Sequence, residues 1–449
     1  MYRSALKLDI QQPETESSQR GHSATARKSV WRNLTAGLLA AIGLTVSLNA
    51  AALPLFARQT GQNCLACHAG GKFPELTPYG RMFKLTGYTL GKRQLIPLAA
   101  TLSFSATAVP GGTKTQNDGT PAFDKASLFG GGKITDSIGM MAQYTFNNYA
   151  GNTGQEGRMY SNNADIRYAN HIINDQTDLV WGLDLNNNPG FEDVWNSSGV
   201  YGYGVVPGSV GVGSGLQPLL LSQNLGQQVV GAGAYVYWDK TLYADLAGYR
   251  TGDGVFSFLT HNYGQTYIQG TNPYLRLALT HDWGTSNAMI GYTFLDANIY
   301  DNPSMATGMV DEHRDNMVDF QYQYLSDPNV VTVEMEDANE QVYYGGGGVS
   351  DSINSFQAKA SYTYDAHYGA ALSYFSVSNS ANNALYAGDG GGIGAAQDLG
   401  SEGWTPEIFF MPVRNVRIGL QYTLFGKFNG TTTAASQNDT AFLYAWTAF

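Results

Sequence analysis

The sequence predicts a mainly β protein: a transmembrane antiparallel β-barrel of about sixteen strands, preceded by a short N-terminal segment of different character. From residue 98 to residue 449, apolar and polar side chains alternate with a period of two. Val318, Phe320 and Tyr322, for example, alternate with Asp319 and Gln321. Tight turns and loops of roughly 12 to 40 residues follow one another in strict succession. This succession is typical of porin-like barrels of the bacterial outer membrane, and it predicts that both chain ends are periplasmic.

The predicted strands form an even-numbered series, as barrels of this type require. They begin near residues 98, 126, 137, 163, 177, 228, 241, 273, 286, 314, 329, 354, 367, 403, 414 and 439. A soluble β-sandwich is the alternative when only a few of these strands are considered, because a sheet with one solvent-exposed face shows the same alternation. Strands that often end in Tyr, Trp or Phe favour the barrel, which places aromatic girdles at both membrane interfaces.

The last predicted strand breaks the alternation. Phe449 is in register with Leu443 and Ala445, whereas Phe442 and Tyr444 belong to the other face. We therefore expect either a β-bulge or an aromatic-lined interior at this strand.

Residues 1–52 have the layout of a secretory signal. Lys28 and Arg32 precede an apolar run over residues 34–48, and small residues follow at 49–52. The run is nearer 15 than 20 residues long, which favours a cleaved signal over a membrane-anchoring helix. Residues 1–25 are polar and are either an extended start of the signal or a start codon assigned too early.

Residues 53–95 contain the strongest chemical motif of the chain, Cys64-Leu65-Ala66-Cys67-His68. CxxCH is the attachment pattern of a covalent c-type haem: the two thiols form thioethers and the histidine can bind the iron. The chain has only these two cysteines, so the second ligand pair of a closed zinc site is missing. The sequence therefore divides into a signal (1–52), a monohaem segment (53–95) and a barrel (96–449).

The haem segment resembles the fused cytochrome-porin family of the bacterial outer membrane. The matching stretches are 54–61 (PLFARQTG), the CxxCH motif, Phe73-Pro74, 80–84 (GRMFK) and 87–89 (GYT). The resemblance implies an electron-transfer protein that oxidises extracellular iron(II) and passes the electron to a periplasmic carrier, a cytochrome c or a cupredoxin. Because one haem cannot reach across an apolar band of roughly 25 Å from the periplasm, we expect its segment to fold into the barrel lumen and plug it.

Further site residues are predicted with their alternatives. Met82 is the nearest candidate for the second axial ligand of the iron, although a methionine beside a haem often only packs against it. Remote alternatives are His171, His261, His281 and His313. Arg58, Arg81 and Lys84, together with Lys72, are expected to bind the haem propionates or to dock the segment in an acidic lumen.

Carboxylates elsewhere suggest a path for cations. Charged residues predicted to face the lumen could line this path or hold the haem segment in place; they are Asp184, Asp282, Asp319, Glu334, Glu336, Lys359 and Arg417. The candidates for surface loops that capture iron(II) are Glu192, Asp193, Asp301, Asp311, Glu312 and Asp389.

Two other functions remain open: a solute porin plugged by its haem segment, and a barrel that anchors an inward-facing electron carrier. A donor other than iron is equally compatible with the motif. A net charge of −11 gives no support to nucleic-acid binding, and no hydrolytic motif is present.

Overall fold

A computed structural model describes residues 54–71, 73–109, 122–147, 158–197, 217–222, 225–260, 266–300, 302, 305–346, 350–380 and 400–449. Within these ranges the dominant element is one closed sheet of sixteen antiparallel strands, each paired with its neighbours in sequence, and β1 paired with β16. The predicted fold class is confirmed. A soluble sandwich, which needs two separate sheets, is excluded.

The strands begin within five residues of their predicted starts. Their bounds are β1 Leu98–Ala108, β2 Ala122–Lys133, β3 Ile138–Asn147, β4 Arg158–Asn174, β5 Thr177–Asn186, β6 Val229–Trp238, β7 Leu242–Thr251, β8 Asn272–Asp282, β9 Ser286–Tyr300, β10 Val310–Ser326, β11 Asn329–Tyr343, β12 Ser350–Tyr364, β13 Tyr368–Asn379, β14 Ser401–Val413, β15 Val416–Lys427 and β16 Thr440–Ala448.

The polarity of the barrel is inverted relative to a soluble protein. Val318 is 49% exposed on the outer face, whereas its neighbour Asp319 is 1% exposed on the inner face. The same alternation places Ile408 outside and Glu407 inside. The apolar exterior can contact lipid chains, and closure of the sheet leaves no strand edge with unpaired backbone groups. The sheet is therefore a transmembrane barrel. Among the described residues, no helix is long and apolar enough to cross a membrane.

Short and long connections alternate as predicted. The short turns contain two to four residues, and at two of them both central residues have positive φ (Asp239-Lys240 and Asp365-Ala366), as tight hairpins require. The long connections span 6 to 42 residues, so the shortest, 344–349, is well below the predicted range. The start of β1 and the end of β16 lie at the short-turn end.

The closing strand has an aromatic-lined interior and no bulge. Phe442 and Tyr444 are buried on the inner face, and β16 pairs with β15 and β1 without a register shift. The Tyr444 hydroxyl donates a hydrogen bond to Glu407 Oε1 at 2.6 Å. Aromatic rings on this strand therefore face the lumen, and Phe449 continues the outward series.

Residues 54–92, called the plug below, lie inside the barrel. The plug contains three short helices, α1 Leu55–Thr60, α2 Cys64–Cys67 and α3 Pro78–Leu85, and a 3₁₀ turn at Ala69–Gly71. A fourth helix of the described chain, α4 Leu219–Ser222, belongs to the long connection between β5 and β6. The plug contacts the strand ends next to the short turns, so it occupies that half of the lumen.

The described parts of the connection between β5 and β6 also lie in the lumen. Its first part, residues 187–197, contacts the plug, and α4 then reaches the opposite wall, where the Leu219 and Leu220 amides donate to Glu340 Oε2 (2.7 Å) and Asp315 Oδ2 (2.8 Å). The plug and this connection therefore both occupy the lumen.

Candidate functional site

The two cysteines lie on one turn of a helix that the local sequence specifies. The Asn63 side chain caps α2 by accepting a hydrogen bond from the Leu65 amide at 3.0 Å. Cys64 and Cys67 are three residues apart, so their thiols share one helix face, and both are free and partly exposed. Burial raises the pKa of both thiols, that of Cys67 to about 11, so they stay protonated.

His68 leaves the helix in an extended conformation with φ −121° and ψ 130°. Burial lowers the pKa of its imidazole to about 4, so the ring is neutral at neutral pH and a nitrogen lone pair is available. Nδ1 is buried without a hydrogen-bond partner, and the Phe73 ring lies 3.9 Å away between centroids. A neutral imidazole beside two protonated thiols on one helix face is the donor set that a c-type haem needs.

Aromatic packing gives the plug its own small core. Phe56, Phe83 and Tyr88 contact one another with ring centroids 4.9 to 5.8 Å apart. These rings pack together where α1 meets α3. Phe73 continues toward the wall and lies 5.0 Å from Trp446 on β16.

Helices α2 and α3 approach each other closely at Gly80. A Cβ atom added at this glycine would lie 2.2 Å from the Cys67 carbonyl oxygen. Thr77 caps α3 and its hydroxyl also donates to the Ala66 carbonyl, while the Thr77 amide donates to the Cys67 carbonyl at 2.9 Å. The orientation of the cysteine helix therefore depends on a residue without a side chain.

Gly80→Ala is expected to loosen the plug without unfolding the barrel, because the added methyl group must displace α3 from α2. A cost of about 1.4 kcal/mol corresponds to a tenfold increase in the rate of trypsin cleavage after Arg81 or Lys84, which are buried in the native state. The control is Gly130→Ala on β2, where the added atom meets only ordinary contacts at 3.6 Å. Equal cleavage rates for the two variants would contradict the packing argument.

Arg81 is committed to the barrel wall. Its guanidinium donates to the Leu76 carbonyl (3.2 Å), to Gln321 and Gln323 (both 3.4 Å) and to Asn287 (3.1 Å). All four acceptors are neutral oxygens, and burial lowers the pKa of Arg81 to about 10. These contacts hold the plug against the wall through neutral oxygens, and the predicted propionate contact stays a prediction.

Lys84 fixes the plug to the inward-folded loop. Its Nζ atom donates to the Asp193 carbonyl at 2.8 Å and to Asn196 Oδ1 at 3.3 Å, and it lies 5.4 Å from the centre of the Phe191 ring. Burial, with the nearby Arg167 charge as the next cause, lowers the pKa of Lys84 to about 8. Asn196 also donates to the Pro74 carbonyl at 3.0 Å.

A buried ion pair joins the plug to the far wall. Lys359 Nζ on β12 lies 2.7 Å from Glu75 Oε1, and both side chains are almost fully buried. Glu334 Oε2 lies 3.8 Å from the same ammonium group. Breaking such a pair costs about 3–5 kcal/mol because one buried charge stays uncompensated. Lys359, one of the predicted lumen residues, thus holds the plug directly.

Arg58 and Met82, the other two predicted site residues of the plug, contact different parts of the barrel. Arg58 donates to the Leu98 and Ile96 carbonyls at the start of the barrel. Met82 packs against a wall cluster that includes Leu85, Val180 and Trp195. It lies two residues beyond Gly80, so its side chain points away from α2. Ligation of the iron by Met82 stays a prediction.

The three described remote histidines have neighbours on the barrel strands and turns. His171 Nε2 pairs with Asp178 at 2.7 Å, His313 Nδ1 pairs with Glu340 at 2.9 Å, and His281 is exposed beside Trp283. His261 and the side chain of Lys72 fall outside the described residues.

Two of the predicted lumen charges, Asp319 and Arg417, pair with charged residues that the sequence analysis did not single out for the lumen wall. Arg276 binds both Asp319 (2.8 Å) and Asp193 (3.0 Å), and Arg417 pairs with Glu407. Asp184, Glu334 and Glu336 are buried on the inner face as predicted, whereas Asp282 is exposed at the end of β8.

The prediction of surface-loop carboxylates was wrong for the four described residues. Glu192 and Asp193 are buried, because their loop folds into the lumen. Asp311 and Glu312 belong to β10, where Asp311 accepts from the Gly345 amide and Glu312 pairs with Arg314. Asp301 and Asp389 lie outside the described residues.

No protein-family model and no curated protein matches the chain. Solved structures that match include the loop L8 deletion mutant of Vibrio cholerae OmpT (12% identity, 79% of this chain and 99% of that chain, TM-score 0.46). Salmonella typhi OmpF in complex with daunomycin (12%, 78% and 97%, 0.47) and the Acinetobacter baumannii outer membrane channel DcaP (13%, 79% and 97%, 0.47) also match. At these values the matches are similarities of barrel fold and carry no functional argument.

The barrel itself decides the general class. A closed sheet of sixteen strands with an apolar exterior and alternating short and long connections is a porin-like outer-membrane β-barrel.

Sequence reasoning missed several of the residues that join the plug to the wall. Gln59 donates to the Tyr88 and Leu90 carbonyls and accepts from the Lys133 amide, and Glu75 pairs with Lys359. Gly139 on β3 allows the plug to touch the wall, since a Cβ there would lie 2.1 Å from the Gly87 carbonyl oxygen. Glu75 is the only acidic residue in the sequence of residues 54–92, which was the available signal for it, but neither its partner nor those of Gln59 could be read from the sequence.

Proposed function

We propose that the protein is an outer-membrane electron-transfer cytochrome. A single covalent haem c on Cys64, Cys67 and His68 takes electrons from extracellular iron(II), and a periplasmic carrier, a cytochrome c or a cupredoxin, receives them. The observation that carries the proposal is the position of the CxxCH segment inside a transmembrane barrel, held by Arg81, Lys84 and Glu75. A redox centre at that depth shortens the distance that an electron must cross.

The residues of the plug would position the haem rather than react. His68 offers a neutral imidazole, and the cap of Asn63 and the close contact at Gly80 orient the two thiols. When bound, the haem supplies a one-electron redox centre. The proposed reaction breaks no substrate bond, so no acid or base catalyst is needed at the site.

The charge of the protein suits a cationic donor. The chain carries a net charge of −11, and an anionic surface raises the local concentration of iron(II). We place the short-turn end, with both ends of the barrel sequence, on the periplasmic side, as in bacterial barrels with short periplasmic turns. The long connections would then face the donor.

Stopped-flow visible spectroscopy tests the proposal directly. Purified, air-oxidised protein in detergent is mixed with excess iron(II), and we expect rapid conversion to the reduced-haem spectrum. Magnesium chloride at the same concentration is the control for ionic strength and should cause no change. Full reduction by dithionite without any reduction by iron(II) would remove iron as the donor and leave a conduit for another donor.

A plugged solute porin is the second candidate, and the sixteen-stranded barrel favours it, since the same architecture forms aqueous channels. The two candidates differ in conductance. An electron conduit needs no open pore, whereas a porin must conduct ions in its native state.

A further inference from the structure

Three buried carboxylates meet on the lumen wall beside the plug. Asp184 lies on β5, Asp245 on β7, and Glu192 in the inward-folded loop after β5. They are 6%, 2% and 0% exposed, respectively. One oxygen of each side chain can be chosen so that all three lie within 4.8 Å of one another, the only such group of potential metal ligands within the described ranges.

Each carboxylate has one oxygen held by a neutral donor and one without a hydrogen-bond partner. Tyr249 donates to Glu192 Oε1 at 2.7 Å and Tyr243 donates to Asp245 Oδ2 at 3.1 Å. Asn186 donates to Glu192 Oε1 at 2.6 Å and to Asp184 Oδ1 at 3.4 Å. The buried atoms Asp184 Oδ2, Glu192 Oε2 and Asp245 Oδ1 have no hydrogen-bond partner among the described residues. The donors therefore orient the three side chains and leave one oxygen of each available.

Neighbouring charges do not neutralise the group. Asp165, with its Oδ2 atom 2.7 Å from Arg167 Nε, adds a fourth carboxylate. Arg167 Nη2 is 3.6 Å from Glu192 Oε2, beyond hydrogen-bonding distance, and Lys84 is the other cation that interacts with the group. When all four carboxylates are ionised, the two cations leave a formal surplus of two negative charges in a buried site, which either a bound cation or shared protons must compensate.

We propose that Asp184, Glu192 and Asp245 bind one divalent metal ion of the oxygen-preferring class, such as Mg²⁺, Ca²⁺, Mn²⁺ or Fe²⁺. Carboxylate oxygens are the ligands that these ions select, and water completes the coordination. Asn186, Tyr243 and Tyr249 form the outer shell that orients the ligands. Because Glu192 belongs to the loop and the two aspartates to the wall, the ion fastens the inward fold of residues 187–197. The site does not depend on the proposed haem function.

Manganese binding tests the site with a readout that does not involve the haem. The full-length protein is purified in detergent, dialysed against EDTA and titrated with MnCl₂, and bound Mn²⁺ is measured by electron paramagnetic resonance. We expect one tightly bound ion in the wild type and none in Asp245→Asn. Tyr249→Phe keeps all three carboxylates but loses an outer-shell donor, so its affinity should fall by about tenfold.

Glu336→Gln is the matched control, since it removes a buried inner-face carboxylate on β11, away from the group, and should retain the tight site. Heat-modifiable mobility on denaturing gels confirms that each variant is a folded barrel. If the folded wild type binds no Mn²⁺ tightly, or if Asp245→Asn and Tyr249→Phe bind it as the wild type does, the metal site is refuted and the carboxylates share protons instead. If Asp245→Asn fails to fold, the Mn²⁺ affinities of Tyr249→Phe and Glu336→Gln still test the site, because only Tyr249→Phe should bind more weakly than the wild type.

Discussion

Deletion of residues 54–92 is expected to turn the barrel into an open pore. The plug occupies the short-turn half of the lumen, and its removal leaves an inner face lined by polar and charged side chains that water can solvate. Lys359 loses Glu75 but gains water, so the barrel remains folded. Single-channel recording in planar bilayers should show low conductance for the native protein and a large increase for the deletion variant.

Point variants of the Glu75–Lys359 ion pair test the same blockage without removing the plug. Lys359→Met leaves Glu75 buried without its cation, at a cost of about 3–5 kcal/mol, so transient opening of the pore should become frequent. The double variant Glu75→Gln/Lys359→Met removes both charges and should open less often than the single variant. A native protein that already conducts like the deletion variant would contradict the blocked lumen and favour the solute porin.

Replacement of both thiols, Cys64→Ser with Cys67→Ser, should abolish covalent haem and every haem-dependent electron transfer. The chain contains no other cysteine, so no alternative thioether can form. Haem staining after denaturing electrophoresis measures the covalent attachment, and reduction by dithionite measures the remaining redox-active haem. The barrel should still show heat-modifiable mobility, because its strand pairing does not involve the cysteines.

Met82→Leu is the companion control for this experiment. The Met82 side chain packs against the wall cluster, so the leucine variant should keep its haem and the native visible spectrum. A changed spectrum of the oxidised haem in Met82→Leu would show that the sulfur ligates the iron. Haem staining that persists in the double serine variant would disprove attachment through Cys64 and Cys67.

The strands of the barrel could be predicted because their signal is local. Side-chain period and turn residues alone predicted the sixteen strand starts to within five residues of their observed positions. The position of the boundary between lipid and lumen follows from the same alternation, as Val318 and Asp319 illustrate. When one face of each strand must contact lipid, a period-two pattern fixes which side chains point outward and which point into the lumen.

The inward fold of the β5–β6 connection could not be predicted in the same way. Glu192 and Asp193 stand in a polar stretch rich in Asn and Gly, a composition that usually indicates a surface loop. Their burial depends on Arg276, Lys84 and Tyr249, which come from other parts of the chain. Only contacts between distant residues distinguish a loop that covers the barrel from one that fills it.

The sequence by itself determined the barrel, its strand order and the CxxCH donor set, because hydrophobic period, turn chemistry and motif spacing act between residues that are close in the chain. The tertiary structure decided which polar residues meet: Glu75 with Lys359, Arg81 with Asn287, and the group of Asp184, Glu192 and Asp245. In a barrel every inward-facing polar side chain has several possible partners across the lumen. The choice among them is made by the path of the plug and the inward loop, which no local pattern encodes.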